Sequence, residues 1–233
     1  MSLVCSNAIN GDYAVIGVDV PTERGKKITD DLNNGIFPLV ADDPKIDQLF
    51  KKSIEKGNFF ATTETDAYKF ADVIIVDINL DVKKENHTSG ALLDYNVDLF
   101  LFKKAIKSIG ENCKEDVLIL VETTVPPGTC VEVVKPINHN CLKERNLSLD
   151  KIKIAHSYER VMPGPGYIDS IQNFFRVYSG IDEKSADAVE SFLHTIIRTD
   201  EYPLTRLKNT NATEMAKVLE NSYRAMNIAF MVE

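Results

Sequence analysis

The chain has 233 residues, a length typical of one complete domain followed by the beginning of another segment. With 44% hydrophobic and 27% charged residues, its composition is that of a folded globular protein, which excludes disordered and low-complexity classes. The net charge of −8 argues against a protein that binds nucleic-acid phosphates. No apolar run approaches the roughly 20 residues that span a bilayer, and no signal-peptide pattern opens the chain. We therefore expect a cytoplasmic protein that binds neither nucleic acid nor a membrane.

The cysteines and histidines give no sign of a metal site. The four cysteines, Cys5, Cys113, Cys130 and Cys141, form no Cys-x-x-Cys pair, and no histidine lies at zinc-ligand spacing from them. We expect these four cysteines to be free thiols.

Short runs rich in Val and Ile alternate along the chain with longer segments of helical periodicity. The predicted strands cover residues 14–20, 73–76, 117–121, 152–155 and 176–178. The predicted helices cover residues 23–33, 45–56, 98–109 and 129–143, and the first three end near Gly35, Gly57 and Gly110. This alternation predicts an α/β fold with a doubly wound, mostly parallel sheet. Residues 80–94, which have weak periodicity, are predicted to form a surface loop.

The two ends of the chain differ from this pattern. Residues 4–11 resemble the last part of a helix, and the G-x-G-x-x-G turn expected before the strand at 14–20 is absent, so we expect a missing first strand and turn. From about Asn211 one amphipathic helix is predicted to run to Glu233, with Asn211 as N-cap and Glu214 closing a capping box. An apolar stripe on it, including Met215, Leu219, Met226 and Phe230, predicts a partner surface.

Asp19 ends the predicted strand at 14–20. In dinucleotide-binding folds an acid at the end of the second strand accepts hydrogen bonds from ribose hydroxyls. Asp19 is therefore a candidate ribose ligand, and the alternative is that it only begins a turn.

Two further polar segments follow predicted strands at the edge where such sheets bind ligands. Residues 122–129 (ETTVPPGT) are stiffened by two prolines, and they form either a site with Thr123 and Thr124 or a turn with Thr129 as N-cap. Glu159 and Arg160 can orient a water and bind an anion, or they can form a surface ion pair.

Lys217 and Asn221 lie four residues apart on the predicted C-terminal helix, so their side chains share one face. They can stabilise one oxyanion together, or they can belong to a solvated helix face.

These motifs together resemble a known family. The strings VIGVD, LNNG, ATT before ADVIIV, ETTVPPGT, ERVMPG and EMAKVLENSYRAMNIAFMVE are similar to the N-terminal half of the UDP-glucose/GDP-mannose dehydrogenase family. ERVMPG is most similar to the branch that oxidises UDP-N-acetylhexosamines such as UDP-N-acetylmannosamine, whereas the UDP-glucose and GDP-mannose branches usually carry a PEFL-type sequence. The resemblance implies a Rossmann-like NAD-binding domain at residues 4–205 and a central dimerisation helix from residue 206 to 233.

The resemblance also implies site roles. The residues on the NAD side would be Asp19, Arg24 and Thr124. Those with catalytic roles would be Thr124, Glu159 as acid/base for the hydrolytic water, and the oxyanion pair Lys217 and Asn221. The UDP-sugar would contact Glu159, Arg160, Lys217 and Asn221. The family oxidises the sugar C6 hydroxyl to a carboxylate with two NAD, through an aldehyde and a cysteine thioester.

Several departures from the family pattern set the expectation for this chain. The Gly-rich turn and the motif with the nucleophilic cysteine are both absent, residues 77–80 (DINL) replace V-P-T-P, and SYER replaces C-P-E-R. We expect an N-terminal fragment of a homodimeric UDP-N-acetylhexosamine 6-dehydrogenase, with weak NAD binding and no turnover alone. The alternatives are a UDP-glucose 6-dehydrogenase and a non-catalytic dimerisation or nucleotide-binding module.

Overall fold

The computed structural model describes residues 1–40, 42–80, 82–89, 92–161 and 164–232. The strands are β1 (Val15–Val18), β2 (Phe59–Thr62), β3 (Val73–Val76), β4 (Val82–Asn86), β5 (Leu92–Val97), β6 (Leu118–Val121), β7 (Lys153–Ser157), β8 (Val177–Gly180) and β9 (Thr205–Arg206). The helices are α1 (Ser2–Ser6), α2 (Glu23–Asn33), α3 (Pro44–Lys56), α4 (Phe100–Asn112), α5 (Lys135–Glu144), α6 (Tyr167–Gln172), α7 (Glu183–Ile196) and α8 (Thr210–Val232). A 3-10 helix spans Thr65–Phe70, and a π-helical turn, Cys130–Val134, leads into α5.

The predicted α/β fold is confirmed. The main sheet has the order β3-β6-β7-β8-β9, and all its neighbours are parallel except β7 and β8. All four residues of β6 are buried, because helices cover both faces of this strand. Ile119 and Val121 pack with α4 and α5, whereas Leu118 and Leu120 pack with α1, α6 and α7 on the other face. This two-sided packing is the doubly wound arrangement.

β1 and β2 form a separate two-stranded parallel sheet. Among the described residues, β1 pairs only with β2 and β3 pairs only with β6, so the ladder is interrupted between β1 and β3. The sequence predicts a missing strand at this place, and the two flanking strands have not closed up on each other.

The predicted surface loop at 80–94 is wrong. The described part of this segment contributes to an antiparallel hairpin of β4 and β5, with an irregularity at Glu85 and Asn86; residues 81, 90 and 91 lie outside the described residues. Strand pairing depends on cross-strand hydrogen bonds, and the local composition of a short charged run such as VKKEN does not reveal them.

The predicted helix end at Gly110 is also wrong, because α4 continues to Asn112. Gly110 serves helix packing instead. A Cβ atom at this position would lie 2.9 Å from the Cβ of Cys141 and 3.0 Å from the Oδ1 of Asn138, both on α5. The glycine therefore allows α4 and α5 to approach closely. Gly57, by contrast, caps α3 with a left-handed conformation as predicted.

The helix predicted from Asn211 to Glu233 is observed as α8, with Glu233 outside the described residues. No described helix combines the length and the apolar character needed to cross a bilayer.

Candidate active site

Two of the predicted polar segments lie at the same edge of the main sheet. β6 and β7 are parallel neighbours, with Val121 paired to His156, so residues 122–124 and Glu159 leave the sheet at the same end. Thr124 is exposed there, and Glu159 and Arg160 are half-buried. Met162 and Pro163, from the ERVMPG motif, lie outside the described residues. The carboxyl edge of parallel strands is where such sheets bind ligands.

Asp19 lies at the end of β1, in the separate small sheet. Its Oδ1 accepts a hydrogen bond of 2.7 Å from the backbone N–H of the next residue, Val20. Thr22 caps α2 by accepting a hydrogen bond from Gly25 N–H, and Arg24 is exposed in the first turn of that helix. The roles of Asp19 and Arg24 toward ribose remain predictions.

The segment at 122–129 combines a structural threonine with an exposed one. The Oγ1 of Thr123 accepts a hydrogen bond of 2.8 Å from Ile78 N–H and lies 3.2 Å from the carbonyl oxygen of Val76, so this side chain links β6 to the end of β3. Thr124 is the exposed hydroxyl of the pair. Thr129 lies at the N-cap position of the π-helical turn, as the alternative interpretation expects, but its hydroxyl donates to Pro126 O at 2.6 Å and makes no cap hydrogen bond.

Glu214 of α8 binds the end of this segment, and the sequence did not predict this contact. Its carboxylate accepts hydrogen bonds from Gly128 N–H at 2.6 Å and from Cys130 N–H at 2.8 Å. Gly128 has a φ of +98°, a conformation that favours glycine. Burial raises the pKa of the Glu214 carboxyl, and the backbone N–H groups oppose this rise.

The predicted capping box at the start of α8 is therefore wrong. The helix begins at Thr210, one residue before the predicted N-cap, and Ala212 N–H donates to the Oδ1 of Asn209 at 3.0 Å. Glu214 is directed to another segment, where its carboxylate accepts hydrogen bonds from the N–H groups of residues 128 and 130.

Lys217 lies one turn further along α8 and contacts the end of β7. Its Nζ donates a hydrogen bond of 2.9 Å to the backbone carbonyl of Glu159 and lies 5.1 Å from the centre of the Tyr158 ring. Burial lowers the pKa of the Lys217 ammonium, which the neighbouring Glu220 and Glu159 carboxylates partly oppose. Asn221 is on the same helix and is exposed. Two of the predicted site residues, Lys217 and Glu159, are thus brought together.

Arg160 pairs with a residue that the sequence did not single out. Its Nε donates to the Oε1 of Glu220 on α8 at 2.8 Å, and its guanidinium lies 4.7 Å from the centre of the Phe174 ring. Burial, together with the Glu220 carboxylate, raises the pKa of Tyr158 to about 12. The alternative interpretation, an ion pair between Glu159 and Arg160, is not observed. Arg160 pairs with Glu220 on α8 instead.

Two buried titratable groups next to this edge were also missed. Glu122 and Arg176 form an ion pair of 2.8 Å in which both side chains are buried, and burial raises the pKa of Glu122 to about 7 although Arg176 opposes the rise. His156 is fully buried without a side-chain hydrogen-bond partner among the described residues, and burial lowers its pKa to about 4. A charged residue within an apolar run, as at Arg176, is the signal that points to such a pair.

The described residues leave the predicted apolar stripe of α8 exposed. The exposed fractions are 44% for Met215, 60% for Leu219, 64% for Met226 and 84% for Phe230. Beyond Glu220 every described residue of α8 is exposed. Contiguous apolar surface of this kind is typical of a contact with another chain or segment.

The chain is similar to proteins of known name over nearly its full length. The UDP-N-acetyl-D-mannosamine dehydrogenase of Pyrococcus horikoshii is 29% identical over 224 residues, which are 95% of this chain and 47% of that protein. The protein of the same name from Methanocaldococcus jannaschii is 31% identical over 231 residues, which are 97% and 46% of the two chains. The chain therefore spans about half the length of these curated relatives.

A solved structure shows the same fold. The NDP-N-acetyl-D-galactosaminuronic acid dehydrogenase of Methanosarcina mazei Go1 superposes with a TM-score of 0.80 at 22% identity, over 99% of this chain and 46% of that chain. Residues 2–197 match the NAD-binding domain of a single family. The chain thus belongs to the UDP-glucose/GDP-mannose dehydrogenase family, of which it carries the NAD-binding domain.

Proposed function

We propose that this chain is the NAD-binding half of a dehydrogenase that oxidises the C6 hydroxyl of a UDP-N-acetylhexosamine, of the UDP-N-acetylmannosamine type, to the uronic acid. The contact between Lys217 and the backbone of Glu159 carries this proposal. It brings a cation from α8 to the carboxyl edge of the main sheet, which is the edge at which Thr124 is exposed. The curated relatives named for UDP-N-acetyl-D-mannosamine favour this sugar.

The roles proposed for the side chains follow from their charge and placement. The Lys217 ammonium, with Asn221 one turn away, stabilises the negative charge that develops on the sugar oxygen, since a fixed cation needs no reorganisation as the charge forms. Glu159 activates the water that hydrolyses the thioester, Thr124 holds this water, and Arg160 contacts the UDP-sugar.

The described chain fits NAD in part. The Asp19 carboxylate ends β1 and the Thr124 hydroxyl is exposed at the end of β6, so groups for a ribose and for the nicotinamide side are present. NAD supplies the hydride acceptor for the oxidation. Residues 1–233 contain no G-x-G-x-x-G turn, the motif whose backbone N–H groups bind the pyrophosphate in dinucleotide-binding folds. We therefore propose that this half alone binds NAD weakly.

The thioester step also requires a group from outside residues 1–233. All four cysteines are buried free thiols, and burial raises the pKa of Cys5 to about 12 and that of Cys130 well above its ordinary value. Such thiols do not supply the thiolate that attacks an aldehyde. We propose that the nucleophile lies in a further domain, that residues 4–205 and 206–233 are the domain and the dimerisation helix, and that this half alone is inactive.

A chimera tests the proposal. Residues 1–233 replace the matching segment of the Pyrococcus horikoshii relative, which keeps its own first and last parts, and NADH formation is followed at saturating UDP-N-acetylmannosamine. Lys217→Ala should lower kcat by about 10²- to 10³-fold, because a preorganised oxyanion donor is lost. The matched control Asn211→Ala, on the same helix, should leave kcat unchanged.

The same chimera separates the two sugars. A higher kcat/KM for UDP-N-acetylmannosamine than for UDP-glucose supports the proposal, and the reverse order supports a UDP-glucose dehydrogenase. A chimera that unfolds cooperatively on heating but forms no NADH with either sugar would rule out a catalytic half.

A further inference from the structure

The first turn of α8 is fastened to the main sheet by two buried polar contacts. The Glu214 carboxylate accepts hydrogen bonds from Gly128 N–H and Cys130 N–H, at 2.6 and 2.8 Å. The Thr213 hydroxyl lies 2.7 Å from the Ser179 hydroxyl of β8. All of these side chains are buried. The helix is therefore bound both to the segment after β6 and to β8.

Apolar packing contributes little to holding the rest of α8. Met215 and Leu219, which flank Lys217 in sequence, are both exposed, and from residue 221 onward all described residues of the helix are exposed. The helix direction at Lys217 consequently depends on the polar contacts of α8. Beyond the first turn these include the hydrogen bond of Lys217 to Glu159 O, the ion pair of Glu220 with Arg160, and the hydrogen bond between the Glu220 and Tyr158 side chains.

Glu214 also connects the two motifs of the candidate site. Gly128 lies near the end of the segment 122–129, which carries Thr124, and Cys130 begins the helical segment that follows. A carboxylate at the start of a helix is stabilised by the helix dipole and by unpaired N–H groups. Lys217 lies about one helical turn from Glu214 on α8. Glu214 therefore links the position of Lys217 to that of the segment that carries Thr124.

We propose that Glu214 is a positioning residue: by binding the N–H groups of Gly128 and Cys130, it holds α8 so that Lys217 lies beside Glu159. The proposal rests on the proposed function only for the chemistry that Lys217 performs. The geometric part concerns the 233-residue chain itself and is independent of turnover.

Competitive acetylation of lysines, read by peptide mass spectrometry across pH, tests this in the 233-residue chain. In the unmodified chain the Lys217 profile should have a midpoint below that of the exposed Lys52. In Glu214→Gln the midpoint should rise to that of Lys52, and the limiting rate at high pH should increase roughly three-fold as the helix start detaches. Lys45, which pairs with Asp169 elsewhere, should keep its profile.

The matched control is Glu115→Gln, which also removes a carboxylate that accepts a backbone N–H, from Ser148 at 2.8 Å. It should leave the Lys217 profile unchanged, so general loosening of the chain is distinguished from loss of positioning. If Glu214→Gln does not fold, Glu214→Asp provides the readout, because its shorter carboxylate cannot reach both N–H groups. A folded Glu214 variant with an unchanged Lys217 profile would overturn the proposal, whatever the chimera does with UDP-sugars.

Discussion

Glu122 and His156 are buried titratable residues on neighbouring strands, and their pKa values move in opposite directions. The pKa of Glu122 is raised from 4.5 to about 7, so the folded state favours its protonated form. Its contribution to stability is present below pH 4.5 and is lost as the pH rises to 7, a change of about 3 kcal/mol. The pKa of His156 is lowered from 6.5 to about 4, so its contribution is present above pH 6.5 and is lost as the pH falls to 4.

The two contributions therefore offset each other between pH 4.5 and 6.5, and single substitutions should reveal them. Relative to the unmodified chain, Glu122→Gln should gain unfolding free energy as the pH rises from 5 to 7.5, since the glutamine side chain stays neutral. His156→Gln should show the opposite trend and gain as the pH falls from 6.5 to 4.5. Urea unfolding at these pH values measures both. Differences that do not change with pH would refute the raised and lowered pKa values.

For single residues, the sequence indicated which side chains lie in the candidate site better than it indicated their interaction partners. Lys217 and Glu159 were singled out because each follows a recognisable motif, and the structure joins them by a hydrogen bond. Glu220 and Arg176 were not singled out. Glu220 lies 60 residues from its partner Arg160, and Arg176 lies 54 residues from its partner Glu122, so the fold and not local spacing brings each pair together.

At the scale of elements, the strands that the sequence predicts are those with continuous apolar runs, such as β6 and β7. These runs are buried on both faces, so they carry a strong signal. The missed strands are short or lie outside the main core: β2, β9 and the hairpin of β4 and β5. Their pairing comes from neighbours distant in sequence, which a local pattern does not encode.

Gly110 gives a prediction about the contact between α4 and α5. Gly110→Ala would place a Cβ atom 2.9 Å from the Cβ of Cys141 and 3.0 Å from the Oδ1 of Asn138, and the resulting overpacking should cost about 1–3 kcal/mol. The alanine regains up to about 1 kcal/mol of helix propensity, so we expect a net loss in unfolding free energy. Gly17→Ala in β1 is the control for steric effects, because a Cβ atom at position 17 would lie 4.0 Å from Phe60 O, an ordinary van der Waals contact. Equal or greater stability of Gly110→Ala would contradict close packing at this contact.

The exposed stripe of α8 gives a prediction about assembly. We expect the chain to form a homodimer through Leu219, Met226 and Phe230, because contact with a second copy would bury these exposed apolar side chains. Leu219→Glu should weaken the dimer at least about ten-fold, since it places an unpaired charge in the interface. Sedimentation equilibrium measures this, with Lys208→Gln, which also lowers the net charge by one, as the control of equal charge change. A monomer at micromolar concentration would disprove the homodimer.

At the scale of the whole molecule, the sheet is divided between β1 and β3. In the described residues β1 has a partner on one side only, whereas β6 and β7 are paired on both sides. We expect the amides of residues 15–18 and 59–62 to exchange with solvent faster than those of β6 and β7, because the small sheet can open without the main core. Hydrogen exchange by mass spectrometry tests this, and equal protection of the two sheets would show that they unfold as one unit.

The absence of a G-x-G-x-x-G turn from residues 1–233 can be read directly from the sequence, because glycine spacing is a local signal. The arrangement of β1 and β3 was not predictable. The same local sequence is compatible with pairing between these two strands, pairing with another strand, or separation. The structure shows separation, which leaves the ends of β1 and β6 in different sheets.

The number of NADH molecules formed per UDP-N-acetylmannosamine tests the central claim most directly. With limiting sugar and excess NAD, absorbance at 340 nm should show two NADH per sugar for the chimera and none for residues 1–233 alone. Two NADH correspond to the four-electron oxidation of an alcohol to a carboxylate. Turnover by residues 1–233 alone, or a folded chimera that forms no NADH, would contradict the account.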